Sequence, residues 1–288
     1  MNIFQRSRFF IRIPYPVRHV SGTRLNLCSP FYEDPTRIAR VLIARPAPFR
    51  PDWYGRREEE TTILKNDTLK IDAAIFDLDG TLIDSIAAYV ELAEEMFRRL
   101  HLPPVSGKVI LERIRDTKDN WANLFAVEEM REGLMEEAAA IYKEISPRLF
   151  TADVKMLPGS GSTLRKLSAA GISIGLVTST HSRSMDGKLY PLRENGLMEL
   201  IGATIAIEDT QRIKPHPDPL IECAKRLGVS PERSIYVGDS HSDIRAGKSA
   251  GMKAIGVLTG MDNYETLKRE DPYMIIDSVA HLSRAVHY

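Results

Sequence analysis

Asp77 and Asp79 are separated by one residue and close an apolar run, Ala73-Ala74-Ile75-Phe76. Gly80 and Thr81 then break the strand pattern. A continuous apolar run is how a strand buried on both faces of a parallel sheet reads. Ligands in open parallel sheets bind beyond the carboxyl ends of the strands. Two carboxylates at such an end repel each other and are poorly solvated. The chemistry expected of them is to hold a divalent cation and attack a phosphoryl group.

Three further segments end apolar runs on reactive side chains. Leu176-Val177 leads into Thr178 and Ser179. Lys214 opens the proline-stiffened loop Lys214-Pro215-His216-Pro217-Asp218-Pro219. Val237-Gly238 leads into Asp239-Ser240-His241-Ser242-Asp243. In a parallel sheet all four segments would reach one edge, which would then carry four carboxylates, a lysine and a hydroxyl. Asp243 also reads as a helix N-cap, a role compatible with support of a metal. His181, His216 and His241 fall in these loops. They read as exposed or backbone-bonded residues, with substrate contact or a shift toward softer metals as the sharper alternative.

The elements needed to position these groups are legible in the pattern. Apolar strand-like runs recur at Ala73–Phe76, Ile172–Val177, Ala203–Ile207, Ile235–Val237, Ala254–Leu258 and Met274–Ile276. Helix-like stretches lie between most of them, at Ser162–Ala170, Pro219–Leu227, Asp243–Ala250 and Tyr264–Arg269. This alternation predicts an α/β fold with a parallel sheet and helices on both faces. From Ser85 to about Met156 no strand is convincing. Ser85–Leu100, Val109–Ile114 and Arg131–Ile145 read instead as amphipathic helices, a lid over the sheet edge. The expected organisation is an extension at 1–70, an α/β core at 71–86 and 157–288, and a helical cap at 87–156.

Composition narrows the class. The chain has 288 residues, 43% hydrophobic and 27% charged, which is ordinary for a globular protein. No apolar run is long enough to span a bilayer. Cys28 and Cys223 form neither a metal-ligand spacing nor a disulfide framework, which suits a reducing, cytoplasmic compartment. The net charge of zero hides a split. Residues 1–70 carry 13 Lys and Arg against 7 Asp and Glu, and residues 71–288 carry 26 against 32. The Arg-rich, acid-poor start leaves organelle targeting open, although a tail without function is the plainer expectation. A short helix over 36–44 fits there, and nothing arranges the arginines into a nucleic-acid module.

The four segments, in this order, resemble the haloacid dehalogenase-like hydrolase superfamily, and within it the phosphoglycolate phosphatase-like branch. The resemblance runs from about Asp72 to the end of the chain. It rests on D-L-D-G-T-L-I-D-S, K-P-H-P-D-P and V-G-D-S-H-S-D-I, which are very specific together. It implies a Rossmann-like parallel sheet with a helical cap inserted after the first strand. The 101 positions from Asp77 to Thr178 leave room for such a cap.

The resemblance also implies roles. Asp77 would be the nucleophile that forms an aspartyl-phosphate. Asp79 would protonate the leaving oxygen and then accept a proton from water. Mg²⁺ would be held by Asp77, the Asp79 carbonyl and Asp239, with Asp243 in support. Lys214 would neutralise nucleophile and phosphate, and Thr178 with Ser179 would bind phosphate oxygens. The acid at position 79 favours a phosphatase or phosphomutase, since the superfamily's dehalogenases lack it. A phosphonatase would need a cap lysine, for which Lys108 and Lys118 are available. The leading expectation is a Mg²⁺-dependent phosphatase, monomer or homodimer, acting on a small phosphorylated metabolite such as 2-phosphoglycolate. It would have no nucleic-acid or membrane partner. A mutase, a pyrophosphatase or a non-catalytic binding protein with the same fold are the alternatives. Arg113, Lys118 and His216 are candidate substrate contacts, with Arg115 and Trp121 further cap residues in reach.

Overall fold

The computed structural model describes residues 69–115, 124–126, 129–152 and 154–286. The Arg-rich extension up to residue 68, with its expected short helix, lies outside them, as do Lys118 and Trp121.

Strand β1 (Ala73–Phe76) has no exposed surface on any of its four residues. It lies at the centre of a parallel six-stranded sheet with β4 (Ser173–Val177) on one side and β6 (Ser234–Gly238) on the other. Outward from β4 comes β5 (Ala203–Ile205), and outward from β6 come β7 (Lys253–Val257) and β8 (Met274–Ile276). The fold is the expected Rossmann-like α/β arrangement. The chain runs outward from β1 through β4 and β5 on one side and from β6 through β7 and β8 on the other, so the topological switch point, where open α/β sheets place ligands, lies between β1 and β6. Phe76 pairs in register with Leu176 and with Val237. The next residues of β1 and β6, and the end of β4, therefore share one edge.

Helices α4 (Ser160–Ala169), α5 (Met185–Glu194), α6 (Asp218–Leu227), α7 (His241–Ser249) and α8 (Tyr264–Arg269) connect the sheet strands. Helix α5 breaks the sequence reading, since Gly187 and Pro191 mask its pattern. Its buried residues Met185, Lys188, Leu189 and Leu192 nonetheless keep helical spacing. Helix α7 begins at His241, two residues before the expected N-cap Asp243. Ser240 is the N-cap and Asp243 its reciprocal partner in a capping box.

Between β1 and β4 stand α1 (Ile86–Arg99), α2 (Gly107–Arg115) and α3 (Leu134–Ala152). A short antiparallel pair, β2 (Ile83–Asp84) with β3 (Lys155–Met156), ties together the chain's entry to and exit from this helical segment. Helix α3 continues through Pro147. Leu149 and Phe150 beyond the proline are buried, and their packing outweighs the local preference to stop. Phe97 stacks on Phe125 at 5.5 Å, and Tyr89 meets Phe150 edge-on at 4.9 Å. One apolar cluster runs from Phe76 and Leu176 in the sheet to Phe97 and Leu149 in these helices. Among the described residues, no helix is long and apolar enough to cross a membrane.

Candidate active site

Asp77 follows β1, Asp239 follows β6, and Asp243 lies in the first turn of α7. All three carboxyl groups are buried, with oxygens within 4.8 Å of one another. Lys214 reaches them from the loop before α6. Its ammonium donates to Asp77 Oδ1 at 2.6 Å, to Asp243 Oδ1 at 2.7 Å and to the Tyr236 hydroxyl at 3.1 Å. Tyr236 in turn donates to Asp243 Oδ1 at 3.0 Å. The other Asp243 oxygen accepts from the Ser240 main-chain N–H at 3.0 Å and from its hydroxyl at 2.6 Å.

The electrostatics follow from three acids around one ammonium. Burial pushes Asp77 up to about 7; the nearby Asp243 and Asp79 add to the rise and Lys214 opposes it. Burial, then the Asp77 and Asp243 charges, hold Asp239 well above the ordinary carboxylate range. Burial would also raise Asp243, but Lys214 outweighs it and leaves that carboxyl below its usual value. Lys214 itself stays charged: burial disfavours the ammonium, and Asp243 with Asp77 more than compensates. Three buried acids share one ammonium, so full ionisation of the cluster calls for a further cation. Such a donor set of hard oxygens suits a small divalent cation.

The backbone around Asp239 is shaped for close approach. Gly80 has φ +73°, and a β-carbon there would lie 2.5 Å from Asp239 Oδ2. A β-carbon at Gly260 would lie only 1.7 Å from the same oxygen. The two glycines let main chain pack against the carboxylate from both sides. Met261 N–H donates to Asp239 Oδ2 at 2.6 Å.

Thr178 is buried at the end of β4, and its hydroxyl oxygen accepts from Thr180 N–H at 3.1 Å. Its hydroxyl hydrogen remains available to an anion. Ser179 beside it is half-buried. Asp79 faces a different set of groups. Its Oδ2 accepts from the Lys188 ammonium at 2.8 Å and from the Thr180 hydroxyl at 3.2 Å. Its Oδ1 is buried and makes no hydrogen bond. Lys188 also donates to Thr180 Oγ1 at 2.7 Å and to the Tyr89 hydroxyl. Burial works against its charge, yet Asp79, then Tyr89, raise it above an ordinary lysine.

The remaining expected residues are placed elsewhere. Arg113 donates to the Leu124 carbonyl at 2.9 Å and to Glu129 at 3.2 Å, and sits over the Phe97 ring. Its hydrogen bonds are made within the helical segment. His216 is exposed and lines a surface cleft of about 410 Å³ with Arg245, Lys248 and Glu270, apart from the acids. His181 is exposed beside Glu208, with 3.3 Å between ring nitrogen and carboxylate. His241 Nδ1 lies 2.8 Å from Asp262, which also accepts the His241 main-chain N–H at 2.6 Å. Sequence reasoning missed Lys188, Tyr236, Tyr89 and Asp262. A lysine at helical spacing within an apolar stripe was the available signal for the first.

The fold and this strand-end cluster define a hydrolase of the haloacid dehalogenase-like class. The family model described as haloacid dehalogenase-like hydrolase matches residues 74–257, and the chain belongs to that family. Within it, the chain stands in the branch of the phosphoglycolate phosphatases and is an enzyme of the phosphatase class. It is 30% identical over 238 residues to the phosphoglycolate phosphatase of Salmonella choleraesuis, covering 75% of this chain and 92% of that one. It is 28% identical over 236 residues to the phosphoglycolate phosphatase of Escherichia coli K12, covering 75% and 92%. Among solved structures, a hydrolase of the family from Deinococcus radiodurans, with bound phosphate and sodium, shares the fold. Its TM-score is 0.62 at 24% identity, covering 75% of this chain and 95% of that one.

Proposed function

We propose that this protein is a Mg²⁺-dependent phosphomonoesterase acting on a small phosphorylated metabolite, of the 2-phosphoglycolate kind, through an aspartyl-phosphate on Asp77. The observation that carries this reading is the buried cluster of Asp77, Asp239 and Asp243 around the single ammonium of Lys214. Three carboxyl groups share one lysine, so their full ionisation leaves a negative surplus that a cation would offset beside a carboxylate nucleophile.

Asp77 supplies the attacking oxygen, and its bond to phosphorus forms as the ester oxygen leaves. Asp79 gives that oxygen its proton, then takes one from the water that attacks the aspartyl-phosphate. Lys214 spreads the charge between Asp77 and the transferring group, and the Thr178 hydroxyl donates to a phosphate oxygen. Asp77, Asp239 and Asp243, with the Asp79 main-chain carbonyl, would hold Mg²⁺, which supplies Lewis-acid charge neutralisation at the phosphate. Repulsion between two unit charges ~4 Å apart is ~4 kcal/mol at an effective dielectric of ~20, so Lys214 and the cation would together offset a cost of roughly a thousandfold in rate.

The test is phosphate release from a panel of phosphorylated metabolites, with and without Mg²⁺. The reading expects Mg²⁺-dependent hydrolysis, with 2-phosphoglycolate among the substrates of highest kcat/KM. Failure to hydrolyse any phosphomonoester, or equal rates with the cation chelated, would overturn it.

A further inference from the structure

Lys188 sits on the buried stripe of α5 and is only 3% exposed, among Met185, Leu189 and Leu192. A buried ammonium needs partners for all three of its hydrogens. It has them in Asp79 Oδ2, Thr180 Oγ1 and the Tyr89 hydroxyl. The Tyr89 and Phe150 rings face it as well, with centroids 4.8 and 5.2 Å away. With every donor used, the group has none to spare for a substrate anion.

The consequence falls on Asp79. One oxygen, Oδ2, is held by both Lys188 and Thr180, and Thr180 is itself fixed by Lys188. The other, Oδ1, is buried without a hydrogen bond. A buried carboxylate oxygen left unpaired is costly unless a ligand or a proton meets it. Tyr89 belongs to α1 and Phe150 to α3, so the clamp is built from both the sheet side and the helical segment.

We propose that Lys188 is a positioning residue for proton transfer: with Thr180 it pins Asp79 by Oδ2 and so presents Oδ1 to the leaving oxygen. Tyr89 and Phe150 hold the ammonium in place. This rests on the phosphatase reading, in which Asp79 carries the proton. A proton on Oδ1 passes to the ester oxygen as that oxygen departs from phosphorus, and Asp79 is left as the carboxylate. That carboxylate then serves as base toward water.

The proposal is tested by Lys188→Met with two substrates of different leaving groups. An alkyl phosphate needs a proton on departure, and 2,4-dinitrophenyl phosphate does not. The quantity read is kcat/KM, which covers steps only up to departure of the leaving group. Proton donation by a positioned side chain contributes roughly 10²-fold or more. The expected result is a loss of about that size on the alkyl phosphate and less than about threefold on the dinitrophenyl ester. Thr180→Val, which removes one hydroxyl and keeps the ammonium, should show the same selectivity in weaker form. It also serves if Lys188→Met fails to fold. Equal losses on both substrates in a folded variant, or no loss on either, would overturn the positioning role while leaving the phosphatase reading intact. A wild-type enzyme inactive on both would overturn the phosphatase reading and this role with it.

Discussion

Asp77 and Asp79 are two residues apart, and each meets a buried lysine, but the lysines come from different regions and leave different balances. Lys214 arrives in a loop of the core and faces Asp77, Asp243 and Tyr236, with Asp239 close by. Lys188 arrives on a helix packed against the inserted helical segment and faces one carboxylate, two hydroxyls and two aromatic rings. The first region is short of positive charge. The second is balanced. The comparison separates two tasks that lie side by side in the sequence. Around Asp77 the structure gathers three buried acids on one ammonium, a donor set that suits a cation. Around Asp79 it fixes the direction of one carboxylate.

Substitutions can break this contrast or sharpen it. Asp77→Asn removes the proposed nucleophile, and kcat on p-nitrophenyl phosphate should fall on the order of 10³-fold or more. Activity indifferent to that change would remove the basis for placing the chemistry at Asp77. Lys214→Met leaves three buried carboxylates without an ammonium. Unfolding in urea without divalent cations should show a loss of about 3–5 kcal/mol. Millimolar Mg²⁺ should restore much of it, because on the proposed reading the cation would bind the folded cluster alone. The destabilisation by Lys188→Met should be indifferent to Mg²⁺. If both variants respond to the cation alike, the two regions do not differ as described.

Gly260→Ala tests the charge-gathering region alone. Its β-carbon would meet Asp239 Oδ2 at 1.7 Å, so the carboxylate must move. The Mg²⁺ concentration for half-maximal activity should rise about 10-fold, the size of effect seen when a metal ligand loses its support. An unchanged Mg²⁺ dependence would remove Asp239 from the metal set. The smallest effect is expected for Arg113→Ala. Its guanidinium bonds Leu124 and Glu129, so about 1 kcal/mol of stability should be lost. KM should stay within about twofold of wild type, and a larger rise would return Arg113 to the substrate.

The two regions also differed in how far they could be read from sequence. The core strands and their polar ends were legible because each joins a continuous apolar run to an acid, hydroxyl or lysine. Asp77, Thr178 and Asp239 announce themselves in this way, whereas Lys214 lies in a proline-rich loop and Asp243 beyond the strand end, legible only with the motifs around them. The Asp79 clamp was not legible. Its lysine lies on α5, where Gly187 and Pro191 weaken the helical pattern, and a lone lysine ordinarily reads as a solvated one. Phe150 was hidden for a related reason, since Pro147 reads as a helix stop that tertiary packing overrides, carrying α3 on to Ala152. The two-residue strands β2 and β3 are too short to leave a period. The start of α7 could have been read two residues earlier, from Ser240 and Asp243 at capping-box spacing.

The most direct test of the account is to catch the phosphoryl group on the enzyme. Wild-type protein turning over substrate with Mg²⁺ would be quenched in acid and its peptides weighed. The account expects one phosphate, on the peptide spanning β1 and attached to Asp77, and none on the Asp77→Asn protein. A phosphate on another residue, or none on Asp77 during demonstrable turnover, would contradict it.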